Sequence, residues 1–145
     1  MPLVSSIAHK FYYKFKGIAA TKNNLVEDFL QESKQKGIKI ALGSASKNAM
    51  LILDRLNITR LFDVIVDGTK VANAKPDPEV FVRGAAELGV EPELCVVYED
   101  AEAGVEATIN AKMKCVGIGE PLVLHQANVV VSGLNMITVQ EAAQL

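Results

Sequence analysis

The feature that most constrains the fold is an alternation, from residue 22 onward, of short Val- and Ile-rich runs with amphipathic segments. The apolar runs are too short for helices and are predicted to be strands, at residues 38–42, 64–66, 95–98, 114–118 and 129–131. Strands that alternate with helices indicate a parallel sheet covered on both faces. We therefore predict an α/β fold, a three-layer Rossmann-type core over residues 22–145.

Helix boundaries carry recognisable signals between these strands. Gly37 and Gly89 end two predicted helices, and Thr138 with Glu141 forms a capping box for the last one. Ser46 is predicted to be the N-cap of a helix through residue 56, and Pro78 to be the first residue of the next helix.

Composition excludes several classes of function. The chain has 145 residues, enough for one domain, and a formal net charge of −2 without a basic face, which argues against nucleic-acid and membrane partners. Residues 10–16 hold three lysines among aromatic residues, a pattern more typical of an apolar helical stripe than of base stacking. Without a signal peptide or an apolar run near 18 residues, we expect a cytoplasmic protein. Cys95 and Cys115 lie in apolar runs and are predicted to be buried free thiols.

Polar residues follow the predicted strands directly, where ligands bind in parallel sheets. After residues 38–42 comes the run Gly43-Ser44-Ala45-Ser46-Lys47-Asn48. Two hydroxyls, exposed amides, a lysine and a helix start together suit an anion. The alternative is that the serines only cap the following helix.

Two further loops carry charge. Lys75 stands between a strand and a proline-initiated helix, where it is a fixed cation or, alternatively, a solvated loop lysine. Glu99 and Asp100 are adjacent carboxylates after a strand, which suit Mg²⁺, or else two acids favoured by a helix dipole. Because all three loops follow successive strands of one parallel sheet, we expect them at one edge, and their joint occurrence favours a phosphate and Mg²⁺ site.

In these residues the sequence resembles the haloacid dehalogenase superfamily from about residue 37 to residue 119. The motifs that match are a Ser/Thr, a Lys and paired acids, here Ser44, Lys75 and Glu99-Asp100. The resemblance implies that Ser44 and Lys75 bind the phosphoryl group being transferred and that Glu99 and Asp100 bind Mg²⁺.

The run of residues 44–48 is similar to the beta-phosphoglucomutase subgroup. That resemblance implies a sugar phosphate or sugar bisphosphate as substrate, interconverting beta-glucose 1-phosphate and glucose 6-phosphate through an aspartyl phosphate. The non-transferring phosphate would then be bound by Ala45, Ser46, Lys47 and Asn48. A sugar-phosphate phosphatase of the same superfamily is the alternative.

The sequence also departs from the family. The Asp-x-Asp motif that supplies nucleophile and acid/base is absent, and the first acidic residue is Glu27. Nothing before residue 22 has a strand pattern, so we expect the sheet to lack its central N-terminal strand and residues 1–21 to be a cap-domain remnant or linker. The family's Ala-Gly-Met reads Ala111-Lys112-Met113 here.

These departures leave three expectations for the chain itself. It is predicted to be inactive as an enzyme for want of the Asp nucleophile. It could act as a non-catalytic fragment that binds phosphate, or it could form a homo-oligomer in which a swapped strand covers the exposed core edge.

Overall fold

The computed structural model describes residues 3–5 and 24–145, which form one six-stranded sheet with helices on both faces. All strand pairs are parallel, and the order across the sheet is β3-β2-β1-β4-β5-β6. The strands are β1 (Leu3–Ser5), β2 (Ile40–Gly43), β3 (Val64–Val66), β4 (Val96–Glu99), β5 (Lys114–Ile118) and β6 (Val129–Val131). The parallel α/β fold predicted from the sequence is confirmed.

The centre of the sheet corrects one expectation. Strand β1 fills the central position, with Val4 beside Ala41 of β2 on one side and beside Val97 of β4 on the other. A three-residue strand is too short to show an alternating pattern, so its formation rests on ladders from both neighbours. The expectation that the central strand is missing was wrong, and residues 3–5 belong to the core sheet.

The prediction of a homo-oligomer or strand swap was based on an exposed edge at the centre of the sheet. The edge strands of the described sheet are β3 and β6 instead, so a homo-oligomer or strand swap stays a prediction without that argument. The apolar helical stripe predicted at residues 10–16 lies outside the described residues. Of the predicted cap remnant or linker at residues 1–21, only β1 is described.

Within the described ranges, five α-helices cover the sheet: α1 (Asn24–Gln35), α2 (Ala49–Arg55), α3 (Glu79–Leu88), α4 (Glu102–Asn110) and α5 (Val139–Ala143). Successive residues of β2 point to opposite faces of the sheet. Ile40 and Leu42 pack under α1, α2 and α5, whereas Ala41 packs under α3 and α4. This two-residue period is that of a strand buried on both sides. The core is therefore three-layered, and it leaves the carboxyl edge of the sheet to the loops.

Most helix ends follow the sequence signals. Gly37 and Gly89 have φ of 73° and 72° after α1 and α3, and Thr138 with Glu141 forms the predicted capping box of α5. Two starts differ: Pro78 is the N-cap of α3 and not its first residue, and Asn48 replaces Ser46 as the N-cap of α2. In the second case the serine hydroxyls take part in the preceding loop, as described below.

The two cysteines are buried free thiols, as predicted. Burial raises the pKa of Cys95 to about 11 and that of Cys115 to about 12, so both thiols stay protonated at neutral pH. Among the described residues, no helix is long and apolar enough to cross a membrane.

Lys112 occupies a backbone position that suits glycine. It follows the C-terminal end of α4 with φ of 61°, in the left-handed region that side chains disfavour by roughly 1–2 kcal/mol. Lys112→Gly is therefore expected to raise the free energy of unfolding by about 0.5–1 kcal/mol, the steric gain exceeding the entropy cost of glycine. Urea denaturation measures the change. Lys114→Gly, a control within β5, is expected to lower it instead.

Candidate functional site

The loop after β2 is braced by its own serines. The Ser46 amide donates to Ser44 Oγ at 3.1 Å, and the Asn48 amide donates to Ser46 Oγ at 3.1 Å. Neither serine is the N-cap of α2, whose N-cap Asn48 makes no side-chain capping bond. The alternative that the serines only cap the helix is therefore wrong.

This bracing leaves donors available to a ligand. Ser44 is 4% exposed, and because its oxygen accepts the Ser46 amide, its own hydroxyl hydrogen points elsewhere. Ser46 is half-buried, while Ala45, Lys47 and Asn48 are exposed. The loop thus presents one buried hydroxyl at the strand end and a polar, cationic rim farther out.

Lys75 forms a buried ion pair with Glu99. The Lys75 Nζ lies 3.0 Å from Glu99 Oε2, and the two side chains are 15% and 2% exposed. Glu99 Oε1 accepts the amides of Asp100 and Ala101, both at 3.0 Å. The Lys75 ammonium also lies 4.9 Å from the centre of the Phe81 ring in α3, within cation–π range. The structure therefore brings together two of the predicted site residues that are 24 positions apart in the sequence.

Gly104 makes this arrangement possible, although the sequence reasoning did not single it out. A Cβ at Gly104 would lie 2.0 Å from Glu99 Cδ and 2.1 Å from Glu99 Oε2. The glycine therefore lets the Glu99 carboxylate pack directly on the first turn of α4. Only the contact, and not the local pattern, identifies it.

Glu79 was missed as well. From the first turn of α3 its carboxylate accepts the Ala72 amide at 2.8 Å and the Asn73 amide at 2.9 Å. The Asp77 amide donates to the Ala74 carbonyl at 3.0 Å. Glu79 thus ties the residues before Lys75 to α3, and its own amide, which donates to Asp77 Oδ1 at 2.9 Å, ties the residues after the lysine.

These bonds make the contribution of Glu79 to stability dependent on pH. The backbone amides of Ala72 and Asn73 hold the pKa of Glu79 below its ordinary value of 4.5. Because the pKa is lowered, the ionised Glu79 stabilises the fold fully above pH 4.5. This stabilisation is lost as the pH falls through the pKa of the folded state. We expect Glu79→Gln to have a lower free energy of unfolding than wild type at neutral pH. The difference between the two should become smaller below pH 4.5.

Urea denaturation across the acid range tests this expectation. Glu106→Gln, on the exposed side of α4, is the matched control for the removal of one helix carboxylate. A constant gap between Glu79→Gln and wild type at all pH values would contradict the assignment.

The sheet edge has the chemistry that Mg²⁺ requires. Glu99 and the half-buried Asp100 place two adjacent carboxylates at the end of β4, and the Lys75 ammonium contacts the first of them. Magnesium takes one or two carboxylates together with waters and phosphate oxygens. Within residues 3–5 and 24–145, no group of three or more His, Cys, Asp or Glu side chains could hold a metal. The two carboxylates of Glu99 and Asp100 are ligands of the kind that Mg²⁺ takes when phosphate and water complete its coordination.

The strand register relates the loops to one another. Ser5, the last residue of β1, pairs with Leu42 of β2 and with Tyr98 of β4. Ser44 and Glu99 follow these partners by two residues and one residue, so both lie at the carboxyl edge, on either side of β1. Lys75 reaches the same edge through its bond to Glu99. The Ser44 hydroxyl and the Lys75 ammonium thus lie at the same edge of the sheet, and both are donors that suit an anion.

Comparison with known proteins identifies the family of this chain. The sequence profile of the haloacid dehalogenase-like hydrolases matches residues 5–112. The beta-phosphoglucomutase of Bacillus subtilis (strain 168) is 43% identical over 111 residues, which cover 77% of this chain and 49% of that protein. A phosphorylated carbohydrates phosphatase of Thermotoga maritima is 41% identical over 92 residues, covering 62% of this chain and 43% of that protein.

Solved structures give the same result. The crystal structure of a beta-phosphoglucomutase from Clostridium difficile superimposes with a TM-score of 0.78 at 42% identity, covering 82% of this chain and 55% of that one. The chain spans about half the length of the relatives it matches. With the profile match over most of its length, the chain belongs to the haloacid dehalogenase-like hydrolase family.

Proposed function

We propose that this chain is the phosphate- and magnesium-binding part of a site that transfers a phosphoryl group on a sugar phosphate, of the beta-phosphoglucomutase type. The observation that carries the proposal is the buried pair of Lys75 and Glu99, at 3.0 Å, on the edge where the Ser44 loop ends. A lysine fixed in this way serves as a point charge for a phosphoryl group.

Ser44 and Lys75 are assigned to the phosphoryl group being transferred. The Lys75 ammonium has three N–H donors, and its bond to Glu99 uses one of them. The Ser44 hydroxyl adds a donor from a buried position. Donors held in advance at this edge stabilise the charge that spreads over the phosphoryl oxygens during transfer.

The exposed rim of the same loop is assigned to the second phosphate of a sugar bisphosphate. It offers the Ser46 hydroxyl, the Lys47 ammonium and the Asn48 amide, with the Ala45 backbone between them. A second anion site next to the first distinguishes a bisphosphate from a monophosphate.

Glu99 and Asp100 are assigned to Mg²⁺. When bound, the ion would neutralise charge on the phosphoryl oxygens. Glu99 has a second role in this proposal, because its Oε2 orients Lys75 while its Oε1 is held by two backbone amides.

We also propose that the 145-residue chain has negligible turnover. Its sequence has no Asp-x-Asp run, so no aspartate is available to form an aspartyl phosphate or to act as the paired acid/base. Phosphate binding needs neither group and should persist.

A sugar-phosphate phosphatase is the second candidate, supported by the relative from Thermotoga maritima that bears such a name. The two candidates differ in the second phosphate, which only a mutase of this type needs to bind. A preference for a sugar bisphosphate over inorganic phosphate favours the mutase, and equal affinities favour the phosphatase.

Calorimetric titration of the purified chain with inorganic phosphate and with glucose 1,6-bisphosphate, each with Mg²⁺, tests the proposal. We expect binding of both ligands, tighter for the bisphosphate, and loss of both on Lys75→Ala. A coupled assay on beta-glucose 1-phosphate should show no turnover. Clear mutase activity that Lys75→Ala abolishes would overturn the predicted inactivity, and an absence of any phosphate binding would overturn the site.

A further inference from the structure

The loop after β3 lies directly against the loop assigned to the second phosphate. The Ser44 amide donates to the Val66 carbonyl at 2.9 Å, and two residues farther on the Gly68 amide donates to the Ser46 carbonyl at 3.0 Å. These bonds continue the parallel pairing of β2 and β3 beyond the last paired residues, Gly43 and Val66. Backbone atoms of residues 66–68 thus set the position of residues 44–46, in the loop assigned to the second phosphate.

Gly68 has no room for a side chain. A Cβ there would lie 2.2 Å from the Ala45 carbonyl oxygen, 3.0 Å from its carbon and 3.2 Å from the Lys47 nitrogen. All three neighbours are backbone atoms, so no rotation of a side chain can relieve the contact. Any larger residue at this position must move the segment of residues 45–47.

Asp67 holds the turn that presents Gly68. Its carboxylate is 8% exposed and accepts the Thr69 amide at 2.9 Å and the Thr69 hydroxyl at 2.5 Å. The Thr69 hydroxyl is the main cause of the lowered pKa of Asp67. The Asp67 side chain therefore fixes the turn in which Gly68 contacts the backbone of residues 45–47.

From these contacts we infer that Gly68 is a positioning residue that sets selectivity for a bisphosphorylated sugar, by fixing the backbone of residues 45–47. The inference rests on the proposed function, since it deepens the role of the same loop. Gly68 acts on the distal phosphate and not on the transferred one, because Ser44 is held by Val66 and Lys75 by Glu99.

The test is the ratio of two affinities in Gly68→Ala, measured by calorimetry with Mg²⁺ and either glucose 1,6-bisphosphate or inorganic phosphate. A displacement of roughly 1 Å in a binding group can cost up to about a hundredfold in function. We expect Gly68→Ala to lower the preference for the bisphosphate at least about tenfold, with little change for inorganic phosphate.

Gly89→Ala is the matched control. Gly89 has φ of 72°, and a Cβ there meets nothing within 4 Å, so the substitution strains the backbone away from the site. Gly89→Ala should lower stability and keep the wild-type ratio, which separates selectivity from folding. Where Gly68→Ala fails to fold, Asp67→Ala loosens the same turn without adding atoms and should lower the ratio about threefold.

The outcomes distinguish the inference from the proposed function. A wild-type chain with no preference for the bisphosphate overturns the distal-phosphate assignment, and the inference with it. A wild-type preference that Gly68→Ala or Asp67→Ala leaves unchanged overturns the inference alone. A preference that Gly89→Ala also removes would assign the effect to stability and overturn the inference.

Discussion

Lys75→Met is expected to lower the free energy of unfolding by about 3–5 kcal/mol and to abolish phosphate binding. The substitution keeps the length of the side chain but removes the charge that lies 3.0 Å from Glu99, a residue only 2% exposed. A buried carboxylate that loses its cation bears most of its desolvation cost. Urea denaturation measures the stability, and calorimetric titration with inorganic phosphate measures the binding.

Two further variants separate the ion pair from the ligand. Lys70→Met removes an exposed lysine of the same loop, whose Nζ donates to the Ile65 carbonyl, and should cost less than about 1.5 kcal/mol. Lys75→Met combined with Glu99→Gln should recover much of the lost stability, since no buried charge then loses its counter-charge, while phosphate binding stays lost. Wild-type phosphate affinity in Lys75→Met would remove Lys75 from the site.

The sequence predicted the elements whose signals are local. The bounds of β3, β5 and β6 agree with the prediction because each is a Val- or Ile-rich run between turn residues. The placement of Lys75 and Glu99 on one edge followed from parallel topology, which requires only the order of strands and helices. Both inferences depend on patterns a few residues long.

The rest depends on contacts that no local sequence pattern shows. Strand β1 has three residues and owes its place to β2 and β4, so no pattern in its own residues could identify it. Gly68 and Gly104 are visible in the sequence as glycines, but the atoms that exclude a Cβ at each belong to other segments. The same holds for Glu79, whose partners are the backbone amides of Ala72 and Asn73. Every residue but proline has such an amide, so the sequence does not show which ones are bound.

Gly104→Ala is expected to disrupt the site through the addition of a single methyl group. The new carbon would lie 2.0 Å from Glu99 Cδ, so the Glu99 carboxylate must leave its position. It would lose the Asp100 and Ala101 amides and the Lys75 ammonium together. Overpacking and the loss of charged hydrogen bonds should lower the free energy of unfolding by at least about 3 kcal/mol and abolish Mg²⁺-dependent phosphate binding.

The cause can be isolated because alanine is otherwise favoured at this position. In a helix, alanine is more favourable than glycine by up to about 1 kcal/mol, so only the contact with Glu99 makes the substitution harmful. In a Glu99→Ala background, which empties the space, Gly104→Ala should therefore stabilise the chain, and the sign of its effect in urea denaturation should reverse. An equal loss of stability in both backgrounds would mean that some neighbour other than Glu99 requires a glycine at position 104.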